Sequence, residues 1–219
     1  MNLSEKIQQL IEESSCLTDE ELGQAIDSQL QIHTEEIQED GLDTYHCHRY
    51  EPTPYRVLQV LFDAHPLKKE DVLLDYGSGL GRLAFYASLR FHCSCRGVEM
   101  AEKWYTISDN NRLSFVQEDA DIRFILDTAD HYEPEDDITT IYCFNPFSPD
   151  VFRQVLSQIT RSFERRPRVL TLILYYPEDD TIFYIEHHTA FVLMDEIAAS
   201  DAIKKDRRER FVIYQLRPA

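Results

Sequence analysis

Apolar residues recur at helical spacing from Leu3 to about Gln38, first as Leu3, Ile7, Leu10 and Ile11, then as Leu22, Ile26, Leu30 and Ile37. The pattern predicts two helices, the second capped by Thr18 or Asp19 and ended near Gly41. Pro52 and Pro54 mark residues 45–55 as an extended loop. A third helix is predicted from Tyr55 to Ala64, with Val57, Leu58, Val60, Leu61 and Phe62 on its apolar face and Pro66 beyond its end. From there strand and helix alternate. Strands are predicted over 71–76, 96–98, 113–116, 138–144 and 169–175, and helices over 80–91, 101–111 and 150–163. The closing strands, 190–194 and 211–216, have no long helix between them and suit an antiparallel edge hairpin. Such alternation implies an α/β fold, a seven-stranded, mostly parallel sheet with helices on both faces. Residues 1–44 read as an N-terminal helical extension on a main domain over 45–219.

Composition narrows the setting. No apolar stretch approaches the roughly 20 residues of a membrane helix, and residues 169–176 have the length of a buried strand. The start, Met1-Asn2-Leu3-Ser4-Glu5-Lys6, carries no signal-peptide pattern, so no membrane partner is expected. The five cysteines fit reduced thiols and a cytoplasmic protein better than a disulfide framework. A formal net charge of −18 repels polyanions at long range, which disfavours a nucleic-acid partner. The later basic residues, Arg161, Arg165, Arg166, Arg168 and those from Lys204 to Arg210, keep that partner open.

The strongest chemical signal is Asp75-Tyr76-Gly77-Ser78-Gly79-Leu80-Gly81-Arg82, at the junction of a strand and a helix. A ligand crossing the end of a strand needs a turn free of side chains, and the following helix offers unpaired N–H groups. A dinucleotide fingerprint would place glycine at the first, third and sixth positions. Counted from Gly77, the sixth position is Arg82, and the glycines stand at the first, third and fifth. About 20 residues on, Glu99 ends the next strand, where an acid can accept hydrogen bonds from both hydroxyls of a ribose.

The D-x-G-x-G-x-G loop, read with the strand order over residues 45–217, resembles motif I of the class I, Rossmann-like S-adenosylmethionine-dependent methyltransferases. The resemblance implies S-adenosylmethionine as cofactor, held by Asp75, Gly77, Gly79 and Gly81, with Glu99 on the ribose. It implies an acid on the adenine amino group, Asp119 with Glu118 as its rival. Asn145-Pro146-Phe147 is similar to the Asn/Asp-Pro-Pro-aromatic motif of amino-methylating members with one proline missing. In that motif the Asn holds the acceptor N–H groups, and Asn145 could equally touch the methionine part of the cofactor. Tyr50-Glu51-Pro52-Thr53-Pro54-Tyr55 resembles a Y-x-P-T-P segment found in some methyltransferases, relatives of protein-lysine enzymes among them. It implies Thr53 near the cofactor's carboxylate and Tyr50 or Tyr55 over the methyl site.

Other groupings carry less. Cys93-Ser94-Cys95 has no second ligand pair at zinc spacing and reads as buried packing. His46-Cys47-His48 could supply ligands, but adjacent residues in an extended segment point apart, so no metal is expected there. His187-His188 reads as surface or site rim. The combined expectation is a methyltransferase acting on a nitrogen of a protein or small molecule, with Asn145 and Tyr55 at the reacting centre and the N-terminal helices walling the pocket. An RNA methyltransferase and a non-catalytic S-adenosylmethionine-binding module are the alternatives.

Overall fold

Short runs of aliphatic and β-branched residues become the strands of one seven-stranded sheet. In the computed structural model, which describes residues 1–35, 51–144 and 147–218, β1 (Val72–Tyr76) and β5 (Leu170–Tyr175) are buried at every position. Burial on both faces explains why neither run alternates with polar residues. The other strands are β2 (Ser94–Glu99), β3 (Ile122–Leu126), β4 (Thr140–Phe144), β6 (Val192–Ala198) and β7 (Arg210–Leu216). Their spatial order is β3-β2-β1-β4-β5-β7-β6. The first five run parallel, and β7 runs antiparallel between β5 and β6. The chain leaves β1 for β2 on one side and returns to β4 on the other, so the switch point lies at the carboxyl end of β1, where such sheets place ligands.

Alternating side chains of each strand supply two cores. Leu73, Ile173 and Ile213 face α1 (Leu3–Glu13), α2 (Asp19–Leu30), α3 (Tyr55–Ala64) and α4 (Arg82–Phe91). Leu74, Leu172 and Tyr214 face α6 (Pro149–Arg165) and α7 (Asp179–His188). The N-terminal helices are therefore part of the first core: Ile7, Ile26 and Leu30 are fully buried in the same cluster as Tyr55, Phe62 and Phe85. Each helix starts with a capping box, Asn2 with Glu5 and Thr18 with Glu21.

Three expectations change. The second helix ends at Leu30, where Gln31 takes the left-handed conformation as C-cap, and the expected stop at Gly41 lies outside the described residues. The third strand is not 113–116. Leu113 and Ser114 close α5 (Glu102–Ser114), and β3 begins at Ile122. Its residues Ile122, Arg123 and Phe124 alternate buried, exposed, buried, as fits an edge strand with one covered face. The last region also holds a helix, α7, that the apolar pattern did not reveal.

Candidate active site

The glycine loop leaves β1 at the switch point. Gly77, Gly79 and Gly81 have φ of 80°, 53° and 91°, in the left-handed region that favours glycine. The N–H groups of Gly77 and Ser78 both donate to the Val98 carbonyl, at 2.9 and 3.0 Å, and tie the loop to β2. A Cβ on Gly77 would meet nothing within 4 Å, because that position borders open space. Gly97 and Gly81 are constrained differently. A Cβ on Gly97 would lie 2.7 Å from the Ser78 Cβ, and one on Gly81 2.5 Å from the Phe124 ring. Gly81 thus serves the packing of α4 on the sheet rather than lining the site.

Glu99 ends β2 and is buried. Its Oε2 accepts from Gly79 N–H at 2.9 Å and its Oε1 from Ala101 N–H at 2.8 Å. Burial raises its pKa, while the backbone N–H groups of Ala101, Gly79 and Met100 pull it back down. Asp75, also buried, is pushed up to about 8, mainly by burial and then by the charge of Glu99. In the sheet register Asp75 stands opposite Tyr142 of β4. The Tyr142 hydroxyl, held well above its usual pKa by burial, shares a 2.8 Å hydrogen bond with the Thr53 hydroxyl.

These groups open onto a crevice of about 880 Å³ across the carboxyl ends of the parallel strands. One half is lined by Gly77, Gly79, Glu99, Met100, Trp104, Asp127 and Thr128, over β2 and β3. The other half is lined by Glu51, Thr53, Tyr142, Phe144, Tyr175 and Glu209, over β4, β5 and β7. Among the described residues that line it, Arg82 is the one cation, against the carboxylates of Glu51, Asp75, Glu99, Asp127, Asp130 and Glu209. Arg82 is buried and held: its Nε donates to Thr34 Oγ1 at 2.8 Å, its Nη2 to Glu35 Oε1 at 2.5 Å, and its guanidinium lies 4.7 Å from the centre of the Tyr55 ring.

The crevice therefore brings together Thr53, Asp75, Gly77, Gly79 and Glu99 of the expected residues. Three expected residues stand elsewhere: Asp119, Tyr55 and Gly81, the last packed against Phe124. Asp119 lies in the turn before β3, at the opposite end of the sheet, beside a recess of about 270 Å³ lined by Lys69, His92 and Cys93. The misplaced third strand caused that error, and the acid that does follow β3 is Asp127. Tyr55 is 2% exposed and donates to Asp27 Oδ1 at 2.6 Å, so its hydroxyl braces α3 against α2 and does not line the crevice. Asn145 and Tyr50 lie outside the described residues, as do Glu36 to Arg49. Composition and spacing missed Asp127, Trp104, Tyr175 and Glu209. For Asp127 a signal existed, the alternating Ile-Arg-Phe-Ile-Leu run that ends in an acid.

Residues 38–120 match the family model of "Histone methylation protein DOT1". No curated protein matches the chain. Among solved structures, an RNA methyltransferase from Salinibacter ruber in complex with S-adenosyl-L-homocysteine is similar at 16% identity, covering 75% of this chain and 92% of that one, with a TM-score of 0.52. Magnesium protoporphyrin IX methyltransferase from Synechocystis PCC 6803 with bound S-adenosylmethionine is similar at 15% identity over 74% and 76% of the two chains, TM-score 0.52. A protein of the NADB-Rossmann superfamily from Streptococcus agalactiae reaches a TM-score of 0.55 at 17% identity over 76% and 69%. At these identities the likeness is one of fold.

Proposed function

We propose a nitrogen of a protein or small molecule as the methyl acceptor of this class I S-adenosylmethionine-dependent methyltransferase. The observation that carries the reading is the glycine loop turned against Glu99, with an open position at Gly77 and a crevice running past it to a second, separately lined half. In the half over β2 and β3, Glu99 accepts from the ribose hydroxyls, and Asp127 takes the adenine role that the sequence had suggested for Asp119. Asp75 and Thr53 face the methionine end. Bound there, S-adenosylmethionine supplies a methyl group already activated by its sulfonium. The chain's own residues then have to position the acceptor and exclude water. Asn145, whose sequence neighbours Phe144 and Phe147 both line the crevice, keeps its proposed part in aligning the acceptor nitrogen.

Electrostatics favours a protein or small molecule over RNA. The crevice carries five carboxylates besides the proton-retaining Asp75, and several of the late basic residues are engaged by the chain itself. Arg165 donates to Asp136 at 2.9 Å, Arg168 to the carbonyl of Ile138 at 2.6 Å, and Arg208 to Glu178 at 2.6 Å and Asp206 at 2.8 Å. Arg165 and Arg168 also stand at the far end of the sheet, between the end of α6 and the start of β5.

Trp104, the single tryptophan of the chain, lines the nucleoside half and gives an intrinsic reporter. Titration with S-adenosylhomocysteine is expected to change its fluorescence, and Glu99→Ala to weaken binding at least tenfold, since hydrogen bonds to a charged group are worth about 1.5–3 kcal/mol each. Unchanged affinity in the variant would remove Glu99 from the site, and no uptake by the native chain would overturn the cofactor assignment. Labelled methyl donor offered with protein, RNA and metabolite fractions then decides the acceptor. Label entering RNA alone rejects the nitrogen of a protein or small molecule.

A further inference from the structure

At the end of the sheet away from the crevice, the turn from α4 into β2 sets two thiols side by side. Cys93 precedes β2 and Cys95 lies within it, two residues apart, so both side chains leave the same face of the chain. Their sulfurs are 3.9 Å apart, and both residues are buried. That separation is far beyond the roughly 2.05 Å of a disulfide. The recess of about 270 Å³ beside Asp119 reaches Cys93. Ser88 lines the same recess, 1% exposed, and its hydroxyl has no hydrogen-bond partner among the described residues. A buried hydroxyl left unpaired points to a polar guest in the recess.

We propose that Cys93 and Cys95 form a bis-thiolate site for a soft, monovalent d10 cation of the Cu(I) class, loaded through this recess. Thiolate sulfur selects soft ions. A d10 metal–sulfur bond is about 2.3 Å, so two of them span roughly 4.6 Å in line and less when bent. From 3.9 Å the sulfurs therefore need to part by only about 0.7 Å at most. No group of three or more His, Cys, Asp or Glu suited to a metal occurs among the described residues, so the pair fits an ion content with two sulfurs and not four-coordinate zinc. The hydrogen bond between the thiols lowers the pKa of Cys93 and raises that of Cys95, which burial raises further. Cys93 is thus the thiolate that meets an entering ion, and the ion then displaces the Cys95 proton. Loading breaks two S–H bonds, forms two S–Cu bonds and releases two protons, the copper staying Cu(I). The product carries one negative charge, and Arg96 stands beside it. Buried itself, Arg96 donates from Nη1 to the Cys95 carbonyl at 3.1 Å, and its charge favours the Cys95 thiolate. The site stands or falls separately from the methyltransferase reading.

The test is anaerobic titration of the full chain against the coloured Cu(I)–bicinchoninate complex. The double variant Cys16→Ser/Cys47→Ser keeps Cys93, Cys95 and Cys143 as its thiols and is expected to withdraw one equivalent of Cu(I). Adding Cys93→Ser or Cys95→Ser should weaken that uptake at least tenfold, the fold of each variant being checked by circular dichroism. A tenfold excess of Zn(II) should leave the uptake unchanged. X-ray absorption at the copper edge of the loaded double variant, which needs no change at the site itself, should show two sulfur neighbours. No uptake, uptake unaltered by either added serine, displacement by Zn(II), or copper held mainly by nitrogen and oxygen each overturns the proposal.

Discussion

Asp75 is a carboxyl group kept in an unfavourable place. Burial and the neighbouring charge of Glu99 raise it from an ordinary 3.8 to about 8. Between those two values the folded chain keeps a proton that the unfolded chain gives up. The associated stability is therefore fully present below about pH 4 and is lost as pH rises towards 8. Asp75→Asn has no proton to surrender and is expected to melt higher than the native chain at pH 9, by an amount that shrinks towards pH 5. At the alkaline end the gain should be of the order of a few kcal/mol. The same variant should bind S-adenosylmethionine more weakly, since a carboxylate beside a cationic ligand is the form the site needs. Melting curves across that range check the first statement, and a difference independent of pH would reject it. Asp75 and Glu99 were legible in the sequence because their spacing from the glycines fixes where each strand ends. Tyr55 was not. Its neighbours Pro52, Thr53 and Pro54 pointed to the site, but the orientation of its ring depends on Asp27, a partner 28 residues upstream on another helix.

At the scale of elements, the loop and β2 depend on each other's small residues. Gly97 sits in the middle of β2, under Ser78, with no room for even a methyl group. Gly97→Ala must push both Ser78 and the Phe124 ring, and overpacking of this kind costs about 1–3 kcal/mol. Because the loop carries Gly77 and Gly79, S-adenosylhomocysteine affinity should fall at least tenfold as well, and denaturant midpoint and titration together check both effects. A variant as stable as the native chain with unaltered affinity would mean that the loop shifts without consequence. The sequence placed β1, β4 and β5 because each is a buried apolar run next to a recognisable helix, and β2 because it lies between two such helices. It lost β3 because an edge strand spends half its positions on polar residues, while Leu113, Phe115 and Val116 offered a more continuous apolar cluster. Two of those three are largely on the surface, Leu113 at 71% and Val116 at 37% exposure. Moving one strand moves the acid proposed for the adenine side from Asp119 to Asp127.

At the scale of the molecule, the question is whether the first two helices are an appendage or part of the core. Helical periodicity reveals that a helix has an apolar face, but not which surface covers it, so the sequence suggested only an extension lying on the main domain and walling the pocket. The structure sets Ile7, Ile26 and Leu30 in one cluster with α3, α4 and the sheet. It also locks the chain after α2 in place: Asp27 accepts from the Thr34 hydroxyl, and Thr34 and Glu35 bind Arg82 at the start of α4. A rigid wall of this kind would hold the glycine-loop helix in place whether or not a ligand is bound. Ile26→Ala should therefore cost about 2–5 kcal/mol, the range for deleting a fully buried side chain. Urea unfolding followed by helical circular dichroism and by Trp104 fluorescence should give one coincident transition in the native chain, Trp104 reporting from α5 at the crevice. Early loss of helical signal with the Trp104 transition unmoved would mean that the first core divides, and that α1 and α2 can leave the sheet while the site stays folded.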